Sequence, residues 1–201
     1  MSRYTLRLIR HGKTAFNIEG RYMGRTDVEL SEEGARQIKE IFDNRAEGPG
    51  YELEKLRDRQ PVLFSSPMKR CLATAGIIFP GVEPIVIKTL REMDFGIFEG
   101  MKYDQLKDMP QFRDFVDSSG EIPPPEGESR ESFTKRVLEG INECCRNLKD
   151  MGRDCGAVVM HGGTIMALMS HLYGGKYYDY LPQNGGGYTL DLEYSDGSIC
   201  L

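Results

Sequence analysis

Two apolar runs far apart in the chain end in the same way. Tyr4 to Ile9 leads into Arg10-His11-Gly12, and Gly156 to Met160 leads into His161-Gly162-Gly163. A third run, Pro61 to Ser65, opens into Ser66-Pro67, and a shorter fourth is Ile85-Val86-Ile87. Short runs that stay apolar throughout read as strands buried on both faces, the environment of a parallel sheet covered by helices. Stretches of helical period lie between them. Ser31 is placed to cap a helix carrying Ala35, Ile38, Ile41 and Phe42 to about residue 46. Ser66-Pro67 starts another that runs to about Ile78. Ser129 caps a long helix bearing Phe133, Val137, Ile141, Cys145 and Leu148. Thr164 to Tyr173 is apolar nearly all round, a buried helix stopped by Gly174-Gly175. A hairpin of Tyr188–Glu193 and Ser198–Leu201, turning at Asp196-Gly197, closes the sheet. Strands alternating with helices predict an α/β fold, a three-layer α/β/α sandwich with a mostly parallel central sheet. Residues 92–128 form a small helical cap over one end, with short helices near Tyr103–Lys107 and Gln111–Val116 and the stiff run Pro123-Pro124-Pro125. Gly48-Pro49-Gly50 breaks the chain before a charged stretch, Tyr51 to Gln60, that forms a short exposed helix. No stretch reads as a linker, so residues 1–201 are expected to make one domain.

Composition narrows the partners. A net charge of −5 argues against nucleic acid or an anionic membrane as the main partner. No apolar run approaches a membrane span. The first ten residues alternate like a strand and carry Arg3, Arg7 and Arg10, unlike a signal peptide. Five cysteines, an odd number without a CxxC pair, fit free thiols in a reducing compartment, so the expected location is cytoplasmic.

Ligand crevices of open α/β sheets lie beyond the carboxyl ends of the strands. Taken alone, Arg10-His11-Gly12 fits an ordinary strand end equally well. If the strands are parallel neighbours, however, His11 and His161 converge with Arg10 and with Arg70, one turn into the helix after Ser65. The helix beginning at Gly162 adds free backbone amides, and Gly12 leaves room for a ligand. Such a set suits a tetrahedral dianion. Gly12-Lys13-Thr14 is not a phosphate-binding P-loop, which would need glycine where Arg7 stands. The chemistry this set supports is phosphoryl transfer to a neutral imidazole of pKa near ~6.5. Arg10, Arg70 and a protonated His161 would hold the equatorial oxygens. Glu92 is the candidate acid for the leaving group, with Asp94 and Glu99 as competitors. His171 would need further ligands to bind zinc and reads as packing.

Six separated motifs carry a resemblance. They are Arg10-His11-Gly12-x-Thr14-x-x-Asn17; Arg21-x-x-Gly24-x-x-Asp27-x-x-Leu30-x-x-x-Gly34; and Ser65-Ser66-Pro67-x-x-Arg70-x-x-x-Thr74-Ala75. Glu92-x-x-x-Gly96-x-x-Glu99-Gly100, Gly127-Glu128-Ser129 and His161-Gly162-Gly163 complete them. In this order they resemble the histidine phosphatase superfamily, in its phosphoglycerate-mutase-like branch. The resemblance implies phosphorylation of His11 and catalysis by His11, Glu92 and His161. It implies phosphate binding by Arg10, Asn17, Arg70, His161 and Gly162, with no metal and no cofactor. Its substrate is a small phosphomonoester. The substrate pocket falls on Met23, Gly24, Met93 and Phe95. Met93 and Phe95 stand where the cofactor-dependent mutases of the family have an arginine and a tyrosine that hold a carboxylate, and Met23 stands where they have threonine. The chain is also shorter than theirs, leaving less cap to shield a phosphohistidine from water. The expectation is therefore a metal-independent phosphomonoesterase acting on a molecule with an apolar or neutral body, such as α-ribazole 5′-phosphate or a sugar phosphate. A phosphoglycerate mutase-type phosphoryl transferase and a non-catalytic phospholigand-binding protein are the alternatives.

Overall fold

The structure, a computed structural model, describes residues 2–44, 46–57, 59–195 and 197–200. Its strands are β1 (Ser2–Arg10), β2 (Val62–Ser65), β3 (Ile85–Val86), β4 (Cys155–Met160), β5 (Thr189–Ser195) and β6 (Ser198–Cys200). They form one sheet in the order β3-β2-β4-β1-β5-β6. Its helices are α1 (Ala15–Glu19), α2 (Glu32–Asp43), α3 (Gly48–Arg57), α4 (Lys69–Ile78), α5 (Tyr103–Leu106), α6 (Pro110–Asp117), α7 (Arg130–Asp150) and α8 (Gly162–Tyr173). β3, β2, β4 and β1 run parallel, β5 is antiparallel to β1 and β6 is antiparallel to β5, so the sheet is mixed with a parallel majority.

Strand periodicity divides the core between two faces. Leu6, Leu8, Phe64, Val158 and Met160 pack with Phe133, Val137 and Ile141 of α7 and with Ile165 and Leu168 of α8. Their neighbours Ile9, Leu63, Ala157 and Val159 pack with Cys71 and Ala75 of α4. Successive residues pointing to opposite covered sides is what leaves β4 apolar throughout, while β1 also buries Thr5 and Arg7. Register then fixes the site. Ile9 and Ser65 both pair with Val159, so β1, β4 and β2 end level. His11, His161 and Ser66 follow directly on those ends.

Two local expectations are corrected, and one element is new. α4 starts at Lys69, not Pro67, because its first turn is capped from another loop: the Lys69 amide donates to Asp27 Oδ1 at 2.8 Å. Gly48-Pro49-Gly50 does not break the chain but opens α3. A Cβ at Gly50 would fall on the Asn44 carbonyl, so glycine there lets α3 fold back on the end of α2. α1 was not legible; five residues are too short for a period, and a reciprocal cap between Thr14 and Asn17 holds it. The hairpin pairs Ser195 with Ser198, and Asp196 and Leu201 lie outside the described residues. No helix among the described residues is long and apolar enough to cross a membrane.

Candidate active site

A cavity of about 340 Å³ opens at the level carboxyl ends of β1 and β4. Arg10, His11, Asn17, Glu92, Gly162 and Gly163 line its polar end, and Tyr22, Met23, Met93, Phe95 and Phe115 an apolar wall.

His11 is buried, and its Nδ1 lies 2.7 Å from its neighbour's carbonyl, Gly12 O. A carbonyl only accepts, so Nδ1 carries the proton and the Nε2 lone pair is left free. Burial, with Arg70 and Arg10 nearby, pushes the imidazole down to about 3, against the smaller upward pull of the Gly12 carbonyl. His11 is therefore neutral at physiological pH, as a nucleophile must be. Its backbone is pinned from both sides. The amide donates to Met160 O at 3.0 Å, and its carbonyl accepts from Asn184 Nδ2 at 2.9 Å.

His161 stands behind His11, edge to face, with ring centroids 5.2 Å apart. It is fully buried, and its Nε2 lies 2.7 Å from Ser66 Oγ. Burial first, then Arg70, His11 and Arg10, hold it well below the usual histidine range. Before a dianion enters, two arginines and a low dielectric therefore favour the neutral ring, whereas the protonated His161 expected from the sequence concerns the phosphate-bound site.

Arg70 is fully enclosed and, like His161, is not among the residues that line the cavity; its Nη1 donates to Thr26 O at 3.0 Å and its Nη2 to Gly24 O at 2.9 Å. Arg10 places Nη1 on Pro182 O at 2.7 Å. Both arginines keep a buried Nε with no partner among the described residues. An unsatisfied buried guanidinium donor is costly unless an anion meets it, so Arg10, which lines the cavity, has a donor to offer a phosphoryl group there. Asn17 accepts at Oδ1 from the Thr14 amide and hydroxyl, both at 3.1 Å, which holds its side chain at the cavity.

Glu92 lies across the start of α8, with Oε2 accepting from the Gly163 amide at 2.9 Å and Oε1 from the Met93 amide at 3.0 Å. A Cβ at Gly163 would fall on Oε1, so only glycine admits the carboxyl here. Burial raises its pKa; the two amides and the two arginines oppose that, and burial is the larger effect. The competitors are engaged elsewhere. Glu99 accepts from the amides of Arg25, Thr26 and Phe95, and Asp94 accepts from the Gly96 amide and pairs with Arg25 at 3.2 Å.

Of the pocket residues read from the sequence, Met23, Met93 and Phe95 line the cavity and Gly24 does not. A Cβ at Gly24 would fall on the Met93 carbonyl, so this glycine serves close backbone packing and offers its own carbonyl to Arg70. Gly12 likewise makes room for Ile38 of α2 rather than for a ligand. Four contributors escaped the sequence: Ser66, Asn184, Arg130 and the segment Tyr177–Leu181. The only signal for the last was its cluster of tyrosines after Gly174-Gly175. No group of three metal-capable side chains occurs among the described residues.

The sequence model of the histidine phosphatase superfamily (branch 1) matches residues 6–197. Over 171 residues the chain is 30% identical to GpmB of Cronobacter sakazakii, named a probable phosphoglycerate mutase, covering 83% of this chain and 74% of that protein. The mycobacterial glucosyl-3-phosphoglycerate phosphatase, solved with VO3, is 26% identical. It superimposes with a TM-score of 0.69, covering 96% of this chain and 93% of that one. The α-ribazole phosphatase of Shigella flexneri superimposes with a TM-score of 0.73, covering 98% of this chain and 94% of that one, at 20% identity. That last likeness is one of fold alone.

Proposed function

This chain belongs to the histidine phosphatase superfamily, branch 1, and from that premise we propose that it hydrolyses small phosphomonoesters through a phosphohistidine on His11, without a metal. His11 Nε2 attacks phosphorus, forming N–P as the P–O bond to the alcohol breaks. Glu92 gives its proton to the departing oxygen. The resulting Glu92 carboxylate then takes a proton from water as that water attacks phosphorus, the N–P bond breaks and inorganic phosphate leaves. Arg10 and Arg70 hold the equatorial oxygens through the step, and His161 joins them once the dianion offsets their repulsion. The observation that carries this reading is the pairing of opposite tendencies at one cavity. Desolvation keeps His11 unprotonated, as a nucleophile requires, and raises the Glu92 pKa above the usual carboxylate range, the direction an acid requires. A cavity of about 340 Å³ with an apolar wall suits a small metabolite.

The test is rapid-quench labelling with a ³²P-phosphomonoester in EDTA. An acid-labile, base-stable phosphoenzyme that forms in the wild type and not in His11→Ala supports the reading. Turnover without it, or turnover lost with EDTA and restored by a metal, refutes it. The similarity to GpmB favours a second reading, phosphoryl transfer between positions of phosphoglycerate. Retention of label in phosphoglycerate, rather than release as phosphate, would establish that instead.

A further inference from the structure

The cavity wall carries more positive charge than the phosphoryl end uses. Arg10, Arg21 and Arg130 line it against one carboxylate, Glu92, among the described residues. Arg10 belongs with His11. Arg21 is committed elsewhere, with Nε on Glu19 at 2.6 Å and Nη1 on Gly100 O at 2.7 Å. Arg130 differs. It is the first residue of α7, its amide donates to Gly120 O at 3.1 Å and its Nη1 donates to Ser119 O at 3.1 Å. Both carbonyls are presented by a left-handed turn, Ser119 at φ 54° and Gly120 at φ 84°. A serine held there is the kind of local strain that gathers at binding sites. The Arg130 guanidinium carbon lies 5.4 Å from the Tyr177 ring centroid, so the side chain is fixed by backbone and aromatic contacts together. Its paired carboxylate, Glu121, is 3.9 Å from Nη2, beyond hydrogen-bond range. Neither Nε nor Nη2 has a hydrogen-bond partner among the described residues.

We propose that Arg130 is a specificity-determining residue that binds a carboxylate at the far end of the substrate, making the substrate a phosphorylated carboxylic acid. The inference rests on the phosphomonoesterase reading above. A planar guanidinium with two free donors matches a carboxylate fork. One guanidinium beside Glu121 supplies too little charge for a second phosphate dianion. The side chain is already positioned, so little ordering is lost on binding. The carboxylate that apolar Met93 and Phe95 cannot hold is thereby met from α7. Between the two ends, the substrate's carbon skeleton lies along Tyr22, Met93 and Phe95.

The experiment compares 3-carboxypropyl phosphate with its neutral amide, 3-carbamoylpropyl phosphate. The wild type is expected to favour the carboxylate by about tenfold to a hundredfold in kcat/KM, the range of a charge-assisted hydrogen bond. Arg130→Met should bring that ratio close to one, and Arg130→Lys should keep part of it. A wild-type ratio near one, or an undiminished ratio in Arg130→Met, overturns the inference. If neither ester turns over, calorimetric binding to His11→Ala decides. Tighter binding of the carboxylate, abolished by adding Arg130→Met, sustains the inference while the hydrolysis reading falls. Equal affinities, or none, overturn it.

Discussion

Glu128 and Arg136 meet through two short hydrogen bonds, Nη2 to Oε2 at 2.6 Å and Nε to Oε1 at 3.0 Å, with side chains only 13% and 12% exposed. Arg136 gives its other donors to the carbonyls of Thr89 and Arg91, at 2.6 and 2.8 Å, and more loosely to Glu92 O at 3.4 Å. The pair therefore ties the turn that carries Glu92 to α7. Breaking one side leaves a nearly buried charge, so Glu128→Gln should cost about 3 kcal/mol in urea unfolding. A loss under about 1 kcal/mol, the size of an exposed pair, would show that the turn is held by other contacts.

Glu92→Gln should separate the acid from the nucleophile. Alkyl phosphates, whose leaving oxygen needs a proton, should lose about 10²- to 10⁴-fold in kcat. Aryl phosphates should lose much less. Steady-state rates on both classes check this, and equal losses would remove Glu92 from the acid role.

Ser66→Ala takes away the hydrogen-bonding group 2.7 Å from His161 Nε2 and leaves the strand end in place. The ring should lose its orientation beside His11, with kcat falling about tenfold, as for loss of one buried hydrogen bond. Ser66→Thr, which retains a hydroxyl, should recover part of the loss. Unchanged kcat in Ser66→Ala would leave that bond without a part in turnover.

Acid should weaken the fold through the same histidines. An unfolded histidine protonates near ~6.5, whereas His11 in place does so only at about 3. Between those values the unfolded chain binds more protons, so stability is fullest above the upper one and falls as pH drops through it. His11 alone accounts for a loss of about 2 kcal/mol from pH 7 to pH 5, and His161 adds to it in the same direction. Glu92, raised by burial, works the other way, since it takes its proton in the folded state first. Urea unfolding of Glu92→Gln at the two pH values isolates the histidine effect. Equal stability at both would mean that the rings accept protons without unfolding.

The strands and their ends were legible because burial on both faces leaves an unbroken apolar run, and a chain change of direction leaves glycine behind it. Arg10 and His11 stand out in the sequence for the same reason, each sitting beside such an end, whereas Glu92 is singled out from Asp94 and Glu99 by the family resemblance. What stayed hidden is what distant segments supply. Ser66 reads as a helix cap, yet its hydroxyl lies against His161 and Asp27 caps α4 instead. Arg130 reads as an ordinary first-turn residue, and only the folded turn at Ser119 and Gly120 brings it to the cavity. The lowered pKa of His161 in the ligand-free site stayed hidden too, because side-chain type says nothing about desolvation.

The segment 182–188 reaches back repeatedly to the first strand and to His11 just beyond it. Pro182 O receives Arg10 Nη1, Asn184 holds the His11 carbonyl, Gly185 and Gly186 bond the Arg10 backbone, and Tyr188 O receives the Leu8 amide. Asn184 and His11 are 173 residues apart in sequence, so the site is complete only when this late segment has folded back onto the first strand. Non-local closure of this kind also slows folding.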